Sequence, residues 1–297
     1  MEGIRKRLIH MHRCRGITRR NIHYFFQHDP TLKLIYGLSS TEINQLFLLP
    51  MRNAKLFYAD LHSLEIRKHL KEDINTYQII TIVDEDYPVV LKRIKDPPLV
   101  LYAKGDTSLL LYLPSLSVIG TRNPSKEALQ KTELIVRPLI ENNWLIVSGM
   151  AKGIDSDAHR LALKYGGNTI AVLGGGFNHI YPKQNTALYH QIAKHGLVLS
   201  EYPPDVAPVR YHFPERNRII SGLSFGTLVI EAMERSGTLI TVDQALDQGR
   251  EVYAVPGSPL IPQTKGCHQM IQEGAKLVLD AQDILEDWES IGQNLFY

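Results

Sequence analysis

From residue 115 onward, a short apolar run is followed three times in succession by a turn of small residues and then by a helical pattern. The runs are Leu116–Gly120, Trp144–Ser148 and Thr169–Leu173. The turns that follow are Gly120-Thr121-Arg122-Asn123-Pro124-Ser125, Ser148-Gly149-Met150-Ala151-Lys152-Gly153 and Gly174-Gly175-Gly176. Strands this uniformly apolar must be covered on both faces. That requirement points to βαβ units and a buried, mostly parallel sheet. Further strands are predicted at Leu197–Leu199, Thr227–Ile230 and Val252–Val255. Helices are predicted near 124–142, 155–165, 186–195, 213–223 and 237–248. The fold class is α/β.

The first quarter of the chain has a different pattern. Apolar residues recur at helical spacing in Ile4–Met11, Ile22–Phe26, Ile43–Leu49 and Leu56–Leu70. Breaks fall at Gly16, Asp29-Pro30, Gly37–Ser40 and Pro50, with Ser40 as the expected N-cap of the third helix. The pattern changes near residue 76, where Tyr77–Val83 and Leu99–Ala103 read as strands. Two domains are expected, a helical one over 1–75 and a larger one over 76–297. Charge is split between them. Residues 1–75 carry 13 Lys/Arg against 7 Asp/Glu, while the remainder carries 20 against 24. A basic segment attracts polyanions, and a solvated basic face explains it equally well.

Composition excludes several classes. Cys14 and Cys267 are the two cysteines and there is no CxxC, which argues against a disulfide framework or a structural zinc site. The longest charge-free stretch, Tyr165–Pro182, holds five glycines and is no membrane helix. The basic N-terminus lacks the apolar region of a signal peptide. A cytoplasmic location is expected, without cofactor or metal.

In a doubly wound sheet, ligands gather at the carboxyl ends of the strands. The turn Gly120-Thr121-Arg122 combines close backbone approach, free N–H groups of a following helix and a forked cation suited to phosphate. It is not GxGxxG, and the Lys152 turn is not a P-loop, so neither a dinucleotide nor an NTP site is supported. One glycine turn says little. Three on one sheet edge suit a row of phosphates. Arg210–Ser221 then interleaves Arg210, Arg216 and Arg218 with Tyr211 and Phe213, as single-strand binding requires. An amphipathic helix with solvated arginines is the plainer reading of the same segment. Arg216 and Arg218, two residues apart, cannot share a helix face, and one of them is open to pairing with Glu215 or Glu231.

Other motifs fail on context. Gly222-Leu223-Ser224-Phe225-Gly226 fits G-x-S-x-G, yet a helix precedes it and a strand follows, the reverse of a nucleophile elbow. His10, His12 and Cys14 alternate and so point to different sides of a helix. Cys267-His268 has no third partner nearby. Asp155 and Asp157 read as helix N-terminal residues.

Taken in order, SVIGTRNPS at 117–125, IVSGMAKGIDSDAHRLAL at 146–163, TIAVLGGGFNHIYPKQN at 169–185 and LSEYPP at 199–204 resemble the DNA-processing protein A family, DprA or Smf. FPERNRIISGLS at 213–224, LVIEAMERSGTLIT at 228–241 and EVYAVPGS at 251–258 continue the resemblance, which spans roughly 76–290. It implies an extended Rossmann-like fold, preceded by a small SAM-like or helix-hairpin-helix-like domain. It also implies a non-enzymatic protein of natural transformation that binds and protects incoming single-stranded DNA and loads the RecA recombinase. Homodimerisation is implied too, and single-stranded DNA-binding protein is a further partner to expect. Carried onto matching positions, the DNA groove comprises Gly120, Thr121, Arg122, Ser148, Gly149, Lys152, Gly175, Lys183, Arg210, Phe213, Asn217 and Arg218. His268 and Ile271 are candidates for the dimer or RecA contact. Little sequence follows Ala281–Trp288, so the winged helix of some members is not expected.

Two alternatives belong to other classes. A phosphoribohydrolase-like enzyme on the same fold would use Glu231 near Phe225-Gly226-Thr227 as acid or base. A pure adaptor would use the N-terminal helices alone.

Overall fold

The computed structural model describes residues 2–292. They fall into two compact units. One runs to Tyr87 and includes Pro98–Tyr102; the other takes Pro88–Pro97 and everything from Ala103.

The first unit contains helices α1 (Glu2–Arg13), α2 (Arg19–His28), α3 (Ser40–Phe47), α4 (Met51–His62) and α5 (Leu64–Thr76), followed by strand β1 (Gln78–Thr81). Short helices need caps and packing. Thr18 caps α2 and Ser39 caps α3, each in a reciprocal box with the residue three positions on. The α3 cap is thus Ser39 and not Ser40, because Glu42 stands three residues after Ser39 and reaches back to it. The single helix predicted over Leu56–Leu70 is two helices, since Ser63 leaves the helical region and caps α5 through Ile66 N–H. Leu8, Ile9, Ile43, Phe57 and Leu61 form the apolar interior. Arg13–Asp73 and Arg15–Asp60 tie the helices together as ion pairs whose carboxylates are buried.

In the second unit come α6 (Val89–Lys92), then β2 (Val100–Gly105), whose last residues belong here, then β3 (Ser115–Ile119) and α7 (Ala128–Glu141). The alternation continues through β4 (Leu145–Ser148), α8 (Ile154–Lys164), β5 (Thr169–Leu173), α9 (Thr186–His195) and β6 (Leu197–Ser200). It proceeds with α10 (His212–Gly222), β7 (Gly226–Val229), α11 (Gly237–Asp247) and β8 (Glu251–Ala254). It ends with α12 (Lys265–Gln272), β9 (Lys276–Leu277) and α13 (Gln282–Asp287). Strands and helices from 115 to 254 match expectation to within a few residues. The exception is α7, which starts at Ala128 because Ser125 N–H and hydroxyl are committed to Glu231. The elements after Ala254 are short, and a two-residue strand carries no periodicity to read.

The strand order is β6-β5-β4-β3-β7-β8-β9, with each neighbouring pair parallel. Every residue of β3, β4, β5, β6 and β7 is buried, as two covered faces demand. Trp144, Phe225 and Trp288 meet edge to face beneath one face, with centroids 5.2–6.2 Å apart. The order reverses between β3 and β7. Chains leave those two strands in opposite directions and open a crevice at their carboxyl ends. To travel from β6 to β7 the chain crosses the sheet, and α10 rides that crossing against β5 and α11.

Candidate nucleic-acid interface

The crevice is a cleft of about 590 Å³. The turn after β3 contributes Gly120, Thr121, Arg122 and Asn123; the turn after β4 contributes Ala151, with Asp155 from α8; α10 contributes Phe213, Arg216 and Asn217. Arg210 and Tyr181 stand at the cleft too, and the segment after β7 closes the far wall with Ser236 and Thr238.

The Arg122 turn is held at both ends. Thr121 N–H donates to the Glu231 carbonyl at 2.8 Å, and Ser125 N–H and Oγ donate to the Glu231 carboxylate at 2.8 and 2.6 Å. Lys131 neutralises that fully buried carboxylate from 3.2 Å. Gly153 supplies the third support. Its φ of +83° suits glycine, and a Cβ there would stand 2.4 Å from the Thr121 carbonyl. Three anchoring points hold the turn and leave the Arg122 side chain exposed. Its guanidinium lies over the Phe213 ring, 5.7 Å from the centroid. Phe213 in turn meets Tyr181, with centroids 5.5 Å apart and planes at 50°. Cation, ring and ring therefore form one continuous surface.

Phe213 is placed by its neighbour. His212 stacks on Tyr202 at 3.8 Å, and its Nδ1 lies 3.1 Å from the Gly174 carbonyl. Burial lowers the His212 pKa, favouring the neutral ring. Beneath them lies Arg216, 4% exposed. Its Nη1 donates to the Gly149 carbonyl at 2.6 Å and to the Val172 carbonyl, and its Nε donates to Asn217 Oδ1 at 3.1 Å. Burial pushes its pKa down to about 10, which still leaves it charged at neutral pH. Burial raises the pKa of the nearby Asp155 carboxyl, against the pull of Arg216.

Of the residues the sequence nominates, Gly120, Thr121, Arg122, Arg210, Phe213 and Asn217 come together around the cleft. Lys152 and Lys183 are exposed on the adjoining turns, outside its lining. Ser148 and Gly149 point inward. The Ser148 hydroxyl donates to the Val118 carbonyl at 2.6 Å, and Gly149 N–H donates to Asp155 at 3.2 Å. Gly175 is buried against Pro208. Arg218 is buried and holds Glu201 with two bonds of 2.7 and 2.9 Å, so its partner is neither Glu215 nor Glu231 in side-chain terms. His268 bonds the Gly257 carbonyl at 3.0 Å, and half-buried Ile271 shares α12 with it.

Tyr181 and Asp155 line the cleft without having been nominated, and so does Arg216, which was named in the basic-aromatic segment but not among the groove residues. A signal existed for Arg216. Residues three and four positions on are Ile219 and Ile220, both buried, so its side chain had to enter the protein. The other motifs resolve as structure. The Ser224 hydroxyl donates to the Ile220 carbonyl inside the fold, and burial pushes the Cys267 thiol up to about 12.

Residues 78–289 match the DNA recombination-mediator protein A family. The chain is 43% identical to the DNA processing protein DprA of Bacillus subtilis over 87% of this chain and 86% of that one. It is 47% identical to DprA of Streptococcus pneumoniae over 74% and 78%. The X-ray structure of the Streptococcus pneumoniae protein superposes with a TM-score of 0.82 at 40% identity, covering 95% of each chain. DNA processing protein A from Helicobacter pylori, whose structure concerns its mode of binding single-stranded DNA, superposes with a TM-score of 0.65 at 30% identity, covering 72% of this chain and 97% of that one. A match over most of the chain, joined to relatives above 40% identity along most of their own length, makes this chain a member of the DNA recombination-mediator protein A family.

Proposed function

We propose that this protein binds single-stranded DNA in the cleft at the carboxyl ends of β3 and β7 and passes it to the RecA recombinase during natural transformation. The observation that carries the reading is the Arg122 guanidinium laid over Phe213, with Tyr181 meeting the same ring at 5.5 Å and Arg210 lining the same cleft. Cations beside stacking surfaces suit a strand whose phosphates and unstacked bases are both available. A duplex hides its base faces. The name of the family, recombination mediator, and the Helicobacter pylori relative's binding of single-stranded DNA support the same reading. Protection of incoming DNA follows from covering its bases. Homodimerisation and the recombinase contact are assigned to α12, around His268 and Ile271, with single-stranded DNA-binding protein as a further partner, all in the cytoplasm. Among the described residues no helix is long and apolar enough to cross a membrane.

No turnover is needed. The enzymatic alternative relied on Glu231, whose buried carboxylate is committed to Ser125 and Lys131 and does not line the cleft. The test is a fluorescence anisotropy titration with a labelled single strand and its duplex at several salt concentrations. Tighter binding of the single strand, with log-linear loss in salt, supports the reading. Equal binding of duplex, or none of either, overturns it.

A further inference from the structure

One residue just beneath the cleft is bonded to both an acidic and a basic side chain. Gly149 donates its N–H to Asp155 Oδ2 at 3.2 Å and accepts from Arg216 Nη1 at 2.6 Å through its carbonyl. Asp155 is 7% exposed and Arg216 4%, and both line the cleft. The two attract each other electrostatically, yet among the described residues they form no ion pair within 4.0 Å. Arg216 commits Nη1 and Nε to carbonyl oxygens, while its Nη2 has no partner among the described residues. The arrangement is tightly built, because a Cβ at Gly149 would come within 2.4–2.5 Å of the guanidinium.

A buried charge with an unused donor needs a partner. A phosphate would satisfy Arg216 and be repelled by Asp155. A neutral group that presents an acceptor next to a donor satisfies both. Every nucleobase carries such a pair on its Watson–Crick edge, and that edge is free only in an unpaired strand.

We propose that Arg216 Nη2 and the Asp155 carboxylate together take the Watson–Crick edge of one unpaired base, making the cleft floor the element that selects single strands. This rests on the single-strand reading above. For thymine, N3–H would donate to Asp155 and a ring carbonyl would accept from Arg216. Any base can offer an equivalent pair, so the floor selects for strandedness and not for sequence. Phosphates and ring faces are left to Arg122, Arg210 and Phe213.

The experiment compares an oligothymidine with the same strand built from N3-methylthymidine, which keeps the charge and the ring face but blocks the N3–H. Anisotropy titrations use the full-length wild type and the Asp155→Asn variant, with folding of the variant checked by thermal melting. The wild type should bind the methylated strand about tenfold or more weakly, the cost of a lost charge-assisted bond with its partner stranded. Asp155→Asn should weaken binding of the unmodified strand and shrink the methylation penalty. A cleft that sees phosphates alone would bind more tightly when that negative charge is removed. Equal binding of the two strands by the wild type overturns the proposal, as does a methylation penalty undiminished in Asp155→Asn. The wild-type comparison stands without any variant. Failure to bind the unmodified strand at all would instead overturn the single-strand reading.

Discussion

The Arg122 guanidinium sits 5.7 Å from the centroid of the Phe213 ring, although 91 positions separate the two residues in the chain. They meet because Arg122 follows β3, at the middle of the sheet, and α10 crosses the same sheet edge on its way to β7. The two side chains should contribute differently to binding. Arg122→Ala should weaken single-strand binding and make the salt dependence shallower by about one counterion. Phe213→Ala should lose about 1–3 kcal/mol of stacking with the salt slope unchanged. Anisotropy titrations from low to high salt separate the effects. A steeper slope in Arg122→Ala would contradict the assignment.

Glu231 should matter to DNA without touching it. Its carboxylate holds Ser125 and Lys131, and its carbonyl holds Thr121, so it anchors both ends of the Arg122 turn. Glu231→Gln leaves Lys131 with the exposed Glu127 carboxylate at 3.5 Å in place of a buried partner, and offers N–H groups where Ser125 also donates. A stability loss of about 1–3 kcal/mol is expected. Single-strand affinity should fall at temperatures where the variant remains folded. Thermal melts alongside binding titrations check this, and an unchanged affinity would show that the turn holds its shape unaided.

The buried Arg218–Glu201 pair should behave as scaffold. Arg218→Ala removes both charge-assisted bonds to Glu201, 3% exposed, and should cost about 3–5 kcal/mol. The double variant Arg218→Met with Glu201→Leu removes both charges and should recover much of that loss. Urea unfolding of the single and double variants measures the difference. If the double variant regains stability but not DNA binding, Arg218 acts on the strand directly.

Stability should fall on acidification. His159 is fully buried, its Nδ1 2.7 Å from the Thr169 hydroxyl, and that hydroxyl donates to the Ile146 carbonyl. The ring is therefore a neutral donor at Nδ1, and burial lowers its pKa to about 3 from an ordinary 6.5. Between those values the unfolded chain binds a proton that the folded chain does not. This contribution is fully present above pH 6.5 and declines as pH falls toward 3, by about 1.4 kcal/mol per pH unit. His159→Gln should flatten the dependence of unfolding free energy on pH by that one proton. Unfolding curves collected from pH 7.5 to 4.5 for both proteins test it.

Local rules carried much of this protein. Buried apolar runs and glycine turns specify the central strands and their helices, because strand burial and helix periodicity are properties of contiguous residues. Arg122 and Phe213 were legible for the same reason, each marked by the turn or helix start beside it. The α3 cap shifted by one residue because both Ser39 and Ser40 can cap, and Glu42 decides between them by its spacing. The cleft floor was another matter. Whether Arg216 or Arg218 faces the cleft depends on which acceptors surround each buried guanidinium, and those acceptors come from Gly149, Val172 and Glu201. Likewise, the N–H of Gly149 is spent on Asp155, and Glu231 serves a turn about 110 residues upstream. Burial makes every such polar group find a partner, but only the packed sheet brings distant partners within hydrogen-bonding distance.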